Sequence, residues 1–249
     1  MSLYLYAIAN GQDLEKLKNS LKIEGMNQQP VQFQEIDPFT LVYSEALQER
    51  YLASRANLLT HERVIEAVMK VDVYNVPLPL QFGLVVDDWA EVKQKLIEGH
   101  QSDLKDLLNK LQGKREVGIK LFWDQIAELN LILGENTELN QKRESLMGKT
   151  LSMDAAIAIG KELESALNQK REEIVGTFLE VLQPLSYEYV VGDLLTENML
   201  YNAAFLIAWD RESEFAIAIE NLDAKYDHRL RIRYNNFTAP FNFVNLGQP

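Results

Sequence analysis

The chain opens with a segment that is apolar on both faces of a strand. Alternate positions fall into two apolar sets, Leu3, Leu5 and Ala7 on one face and Tyr4, Tyr6 and Ile8 on the other. A strand with two apolar faces is typical of the centre of a sheet that is covered on both sides. The pattern therefore predicts a central strand that ends near Gly11.

The rest of the first half predicts an alternation of helices and strands. Leucines at helical spacing predict a helix at residues 13–22, and residues 31–36 and 39–43 read as a β-hairpin. A longer helix is expected at about residues 50–73, followed by a proline-flanked edge strand at 77–85. The apolar stripe predicted for the longer helix consists of Leu58, Leu59, Val64, Ile65, Val68 and Met69.

The elements of the first half follow the order βαββαβ, and another helix and a boundary come after them. Asp87 and Asp88 have the side chains of an N-cap, so a helix is expected from there to about Leu111. Gly99 is the position at which this helix would kink. The segment 112–114 is polar and contains a glycine, which makes it the candidate domain boundary.

The second half begins with an alternating strand and a long helical region. The strand covers residues 117–123, and the helical region is interrupted at Gly134 and Gly148. Its long part, about residues 152–182, carries a narrow stripe of coiled-coil type made of Met153, Ala156, Gly160, Leu163, Leu167, Lys170, Ile174, Phe178 and Leu182. Packing on the chain's own sheet is the preferred interpretation, and an intermolecular coiled coil is the alternative.

The chain then returns to strands. Residues 187–191 alternate, residues 201–208 are apolar on both faces, residues 212–225 have helical spacing, and residues 229–234 alternate again. This repeats the βαββαβ order. We therefore predict an α+β protein of two tandem ferredoxin-like domains with antiparallel sheets and added long helices. The domains are expected at 1–111, with a trailing helix, and at 112–249, with the long helical segment.

The composition of the chain argues against some classes of partner and indicates a cellular compartment. The net charge of −12 argues against nucleic acid, whose phosphates need Lys and Arg, and weakly against anionic lipid membranes. The chain has no cysteine, which excludes disulfides and thiolate sites and agrees with a reducing cytoplasm. The opening segment lacks basic residues and is too short to be a secretory signal, and no apolar run is long enough for a membrane span.

The motifs associated with chemistry are incomplete. His61-Glu62 begins like a zinc motif on a helix, but the second histidine is replaced by Ile65. Gly148-Lys149-Thr150 matches the end of a P-loop whose first glycine is replaced by Arg143. We therefore predict no catalytic residue, no cofactor and no metal, and a protein that is not an enzyme.

One charged pattern remains as a candidate partner-binding site. Arg229, Arg231 and Arg233 alternate with apolar residues in the last strand, so they share a face. The predicted topology places this strand at an edge beside the strand that contains Glu116, which is the candidate carboxylate partner. The preferred interpretation is an ordinary solvated sheet face, and binding of an acidic surface is the alternative.

Several stretches resemble gas vesicle proteins of the F/L family, cyanobacterial type, and they span almost the whole chain. They are Leu3-Tyr4-Leu5-Tyr6-Ala7-Ile8, His61-Glu62-Arg63-Val64-Ile65-Glu66, Pro77-Leu78-Pro79-Leu80-Gln81-Phe82-Gly83, Asn202-Ala203-Ala204-Phe205-Leu206-Ile207 and Thr238-Ala239-Pro240-Phe241-Asn242-Phe243-Val244. Two departures from the family are Gln81, where an arginine is frequent, and a tail with fewer Gly, Pro and Tyr.

The resemblance implies a structural or accessory role in a prokaryotic gas vesicle. It implies a minor component or assembly factor that binds the small hydrophobic shell protein, together with other gas vesicle proteins, and limits shell-protein aggregation during nucleation. It implies no catalytic residues. The alternative is a ferredoxin-like protein that binds a small molecule as a regulator or enzyme, which a deep pocket with converging polar groups would favour.

Overall fold

The computed structural model describes residues 2–146, 153–227 and 229–245. In these ranges the chain has a mixed helix and sheet fold with two antiparallel sheets. The Cα positions group into two compact units. Unit 1 comprises residues 1–117, 205–212 and 235–249, and unit 2 comprises residues 118–204 and 213–234. The predicted division into domains at 1–111 and 112–249 stays a prediction.

The first sheet is centred on the opening strand. Its strands are β1 (Leu3–Asn10), β2 (Gln32–Ile36), β3 (Phe39–Glu45), β4 (Leu78–Pro79) and β5 (Val85–Val86). The order is β2-β3-β1-β4, and β5 also pairs with β1. Every residue of β1 up to Ala9 is buried, which confirms the prediction of a central strand.

The hairpin of β2 and β3 is confirmed, and β1 contains a bulge. Leu5 lies opposite Tyr43 and Ala7 lies opposite Val42, so Tyr6 is an extra residue in the ladder. A bulge of this kind bends a strand locally and redirects its side chains.

The predicted edge strand at 77–85 is wrong as a continuous element. Within this segment only β4 and β5, two residues each, pair with β1. Between them the chain leaves the ladder and passes through Gly83, whose φ of +86° lies in the left-handed region. This excursion brings the backbone of Leu80 and Gly83 to the buried side chains of His61 and Tyr4.

The helices of unit 1 are α1 (Leu14–Ser20), α2 (Arg55–Val71), α3 (Trp89–Val92) and α4 (Gln101–Leu111). A π-helical turn, Lys93–Ile97, and Gly99, with φ +87°, separate α3 from α4, which confirms the predicted kink. Asp88 caps α3 as expected by accepting from the Glu91 N–H at 2.9 Å.

Helix α2 differs from its prediction in its start and its buried face. It begins at Arg55 rather than near residue 50, because the Ser54 hydroxyl caps the N–H of Asn57. Leu58 and Leu59, predicted to be buried, are 42% and 52% exposed. The helix is buried against the rest of its unit only from His61 onward.

The second sheet consists of β6 (Lys114–Trp123), β7 (Glu188–Val191), β8 (Met199–Ala208) and β9 (Leu230–Thr238). Its order is β7-β8-β6-β9, so β9 lies at an edge beside β6, as predicted. Both sheets thus place their second, third, first and fourth strands in the same order. The description as tandem ferredoxin-like domains stays a proposal.

The helices of the second half are α5 (Gln125–Glu135), α6 (Thr137–Leu146), α7 (Met153–Leu182) and α8 (Glu212–Lys225). The stripe predicted along α7 is only partly buried: Ile174, Phe178 and Leu182 are covered, whereas Met153 is 81% exposed. A helix of 30 residues extends for about 45 Å, and its buried residues lie near its C-terminal end. The predicted break at Gly148 lies outside the described residues.

In the described part of the chain, no helix combines the length and the apolarity that crossing a lipid bilayer requires.

Candidate functional site

His61 of α2 lies at the centre of a buried cluster in unit 1. Its Nδ1 lies 3.0 Å from the hydroxyl of Tyr4 in β1, and its Nε2 lies 3.0 Å from the carbonyl oxygen of Leu80. The side chain is only 2% exposed. We name His61, Tyr4, Leu80 and the surrounding rings of Phe82 and Phe241 the histidine cluster.

The hydrogen-bond partners determine the tautomer of His61. The Leu80 carbonyl can only accept, so Nε2 carries the proton and donates it. The Gly83 N–H donates to the Tyr4 oxygen at 3.1 Å, which leaves the Tyr4 hydroxyl to donate to Nδ1. Burial lowers the pKa of His61 to about 4, and the bond to Leu80 offsets part of that effect. Burial disfavours the charged form of Tyr4 as well, which raises the pKa of its hydroxyl. His61 is therefore neutral, and both of its ring nitrogens are engaged.

Aromatic rings enclose the histidine from two distant parts of the chain. The ring of Phe82 meets His61 edge-on at 5.7 Å between centroids, and Phe241 stacks on it at 6.3 Å. Next to it, the Thr238 hydroxyl lies 3.2 Å from the Glu62 carboxylate. Four of the stretches that carry the family resemblance therefore meet at one place.

A second buried group in unit 1 is the carboxylate of Glu116. It accepts hydrogen bonds from the side-chain amide of Asn242 at 2.6 Å and from the Asn242 backbone N–H at 3.1 Å. Burial raises the pKa of Glu116 to about 7, although the two hydrogen bonds act in the opposite direction. The expectation that Glu116 pairs with the arginines is wrong, because its oxygens are directed at the C-terminal segment instead.

His61, the first residue of the zinc-like pattern, is bonded to Tyr4 and Leu80. Among the described residues, no group of three or more His, Asp and Glu side chains is placed to hold a metal ion. The P-loop-like residues Gly148, Lys149 and Thr150 lie outside the described ranges.

In unit 2 the three predicted arginines have different environments. Arg229 precedes β9, and its guanidinium forms a bidentate ion pair with Glu128 of α5, at 3.0 Å from Nε and 2.5 Å from Nη2. The Glu128 side chain is only 3% exposed, whereas that of Arg229 is 38% exposed, so the pair is buried on its carboxylate side. Arg229 is therefore engaged within the chain rather than available to a partner.

Arg231 and Arg233 share the outward face of β9, as the alternation predicted. Their guanidinium carbons lie 4.4 and 5.1 Å from the ring centroid of Phe122 in β6. Cations over an aromatic face are held in position without losing their charge. Arg231, Arg233 and Phe122 together form what we name the arginine surface.

An open cleft of about 640 Å³ adjoins the arginine surface. Its lining includes Arg229, Arg231, Phe122 and Ile126, and the Ile126 side chain is 75% exposed. Asp124 and Glu197 also line the cleft, so it carries charges of both signs next to an exposed apolar side chain. The excess of positive charge lies beside the cleft, where Arg231 and Arg233 cover Phe122.

Sequence reasoning missed Glu128 and Phe122. An aromatic residue on the polar face of a predicted strand, at Phe122, is a signal that could have indicated the cation–aromatic contacts. No comparable signal distinguishes Glu128 from the many other glutamates of this acidic chain.

Comparison with known proteins places these features in a family context. Residues 2–245 match the profile of a family described as gas vesicle synthesis protein GvpL/GvpF. The chain is 48% identical over 244 residues to gas vesicle protein F of Dolichospermum flosaquae, with 98% of each chain covered. It is 42% identical over 246 residues to gas vesicle protein F of Microcystis aeruginosa, with 99% of each covered.

Solved structures agree with this match. The crystal structure of GvpF from Anabaena sp. superposes with a TM-score of 0.85 at 42% identity, covering 99% of this chain and 97% of that one. The structure of GvpF from Microcystis aeruginosa also gives a TM-score of 0.85, at 41% identity, with 98% and 99% covered.

Proposed function

Because the chain belongs to the GvpL/GvpF family of gas vesicle synthesis proteins, we propose that it is a non-enzymatic minor component or assembly factor of gas vesicles. The observation that carries this proposal is the match to the family over residues 2–245, which leaves almost no part of the chain outside it. The proposed location is the gas vesicle in a prokaryotic cytoplasm.

The histidine cluster supports a structural rather than a catalytic role for the resemblance-bearing residues. A general base needs a free nitrogen within reach of a substrate. Both nitrogens of His61 are instead bonded to Tyr4 and Leu80, and its side chain is 2% exposed. These residues hold β1, α2 and the segment before β5 together.

The proposed partners are the small hydrophobic shell protein and other gas vesicle proteins, and neither nucleic acid nor a lipid membrane. Binding would cover apolar surface on the shell protein and so limit its aggregation during nucleation. The net charge of −12 supports the exclusion of nucleic acid.

The arginine surface is the proposed contact region. Arg231 and Arg233 are exposed and are held over Phe122. Arg231 also lines the adjoining cleft together with the exposed Ile126. Charge complementarity would orient the partner, and the apolar side chain would contribute burial. Raised salt should weaken the association because exposed charges are screened.

The experiment is deletion of the gene in cells that make gas vesicles, followed by complementation. The wild type should restore vesicles and co-purify with the shell protein. The variant R231E/R233E should co-purify about tenfold less. Arg229 is left unchanged, because reversing its charge would place two carboxylates together at Glu128.

The matched control is K105E/K161E, which makes the same change in net charge at two exposed lysines and should behave like the wild type. Normal vesicles in the deletion strain would overturn the assembly role. Normal vesicles and normal co-purification with R231E/R233E would show instead that the arginine surface is an ordinary solvated sheet face.

A further inference from the structure

A groove of about 880 Å³ opens in unit 1 beside β2, α1 and α2, and the proposed function does not use it. Its apolar lining is formed by Leu21, Ile23, Val31 and Phe33. Val31 and Phe33 are buried, whereas Leu21 and Ile23 are partly exposed. The groove is therefore apolar at its base and open to solvent.

Strand β2 gives the groove an unpaired strand edge. It is the last strand in the order β2-β3-β1-β4 and pairs only with β3 in the described part of the chain. Immediately before β2, the Val31 N–H donates to the Ile23 carbonyl at 3.0 Å, so the chain itself covers the start of this edge. Beyond Val31, alternate N–H and C=O groups of an edge strand point outward and can pair with another strand.

The rim of the groove is positively charged. Lys18, Lys22 and Arg63 line it, against a single carboxylate, that of Glu24. All three cations are exposed, and the Arg63 guanidinium is held by donating to the Glu24 carbonyl at 3.2 Å. A local excess of positive charge is unusual on a chain whose net charge is −12.

We propose that this groove binds an extended segment of another protein that carries both acidic and apolar side chains, and that the segment adds to the sheet as a strand beside β2. Main-chain hydrogen bonds to the edge would supply affinity. The apolar side chains of the segment would face the base of the groove, and its carboxylates would meet Lys18, Lys22 and Arg63.

A second copy of this chain is a poorer occupant. A copy that paired through its own β2 would bring a second set of the cations Lys18, Lys22 and Arg63 to the groove. Like charges at so short a distance repel each other. Charge complementarity therefore selects a different, acidic partner.

The probe is a short fluorescent peptide of alternating valine and glutamate, and its matched control is the same peptide with lysine in place of glutamate. Fluorescence anisotropy with the full chain should show saturable binding of the glutamate peptide and no saturable binding of the lysine peptide. The variant K18E/K22E should bind it about tenfold more weakly. The variant K105E/K161E, with the same net charge, should bind it as the wild type does.

Hydrogen exchange tests the mode of binding. Peptide addition should slow amide exchange within Gln32–Ile36, because outward N–H groups gain partners. Absence of saturable binding, or equal binding by K18E/K22E, overturns the proposal. Binding without slower exchange in β2 overturns strand addition, and a dimer that K18E/K22E dissociates shows that a second copy is the occupant. None of these outcomes depends on vesicle formation, so they are separate from the test of the proposed function.

Discussion

Asn242 donates two hydrogen bonds to the carboxylate of Glu116, from its side-chain amide at 2.6 Å and from its backbone N–H at 3.1 Å. The two residues are 126 positions apart in the sequence. Glu116 is 4% exposed. This contact anchors the C-terminal segment to β6 and places a titratable group inside unit 1.

The first prediction is a pH dependence of stability that originates at Glu116. Its pKa is about 7 in the folded chain, above the ordinary 4.5, so the folded state holds a proton that the unfolded state releases between these values. The raised pKa of Glu116 therefore adds to the free energy of unfolding at low pH. This stabilisation, at most about 3 kcal/mol, is complete below pH 4.5 and is lost as the pH rises toward 7.

The measurement compares urea unfolding of the wild type and E116Q from pH 4.5 to 8. The variant should lose less stability as the pH rises. His61 acts in the opposite direction, since its pKa is lowered to about 4, but it is present in both proteins and cancels. E15Q removes an exposed carboxyl and should run parallel to the wild type. Parallel curves for E116Q would contradict the prediction.

The second prediction concerns the hydroxyl of Tyr4. Tyr4→Phe leaves the Nδ1 of His61 and the N–H of Gly83 without their partner. Buried polar groups that lose a partner cost about 1–3 kcal/mol, so the free energy of unfolding should fall by that amount. Tyr74→Phe is the control, because Tyr74 is 58% exposed, and it should change stability by under about 0.5 kcal/mol. Equal effects of the two changes would argue against the histidine cluster as a stabilising network.

The third prediction separates the three arginines. Arg229→Met leaves the buried Glu128 carboxylate unpaired, which should cost about 1–3 kcal/mol, because solvent reaches the pair on the arginine side. Arg231→Met and Arg233→Met remove exposed cations over Phe122 and should cost about 1 kcal/mol or less each. Urea denaturation of the three variants checks the order. Similar losses for all three would show that the Arg229–Glu128 pair contributes no more than a surface contact.

The fourth prediction uses two glycines with contrasting surroundings. A Cβ at Gly25 would lie 2.1 Å from the Tyr6 hydroxyl oxygen. That oxygen is held by Ser44 at 2.9 Å and by the Met26 N–H at 2.7 Å, so it cannot move freely. Gly25→Ala should therefore cost at least about 1–3 kcal/mol.

Gly160 in α7 is the matched control. A Cβ there meets no atom of the described residues within 4 Å. Alanine has a higher helix propensity than glycine, so Gly160→Ala should stabilise the chain by up to about 1 kcal/mol. Thermal unfolding of both variants tests the pair, and destabilisation by Gly160→Ala would mean that this part of α7 has a contact that a Cβ disturbs.

Local patterns predicted the elements where burial follows the sequence directly. The two-sided apolar pattern of β1 and the turn-bounded hairpin of β2 and β3 were confirmed. The long apolar stripe of α7 was predicted in full but is buried only near Ile174, Phe178 and Leu182. Periodicity indicates which face of a helix can be buried, and it carries no information on how far the covering surface extends.

The sequence by itself determined the family, through stretches spread along the chain, and the central position of β1, through its apolar faces. Only the tertiary structure decided the partners of the polar groups. Glu116 accepts from Asn242 rather than from an arginine, and Arg229 binds Glu128 from 101 positions away. The physical reason is that hydrogen bonds and ion pairs act over a few ångströms. Which side chains come that close depends on how the whole chain folds rather than on their local pattern.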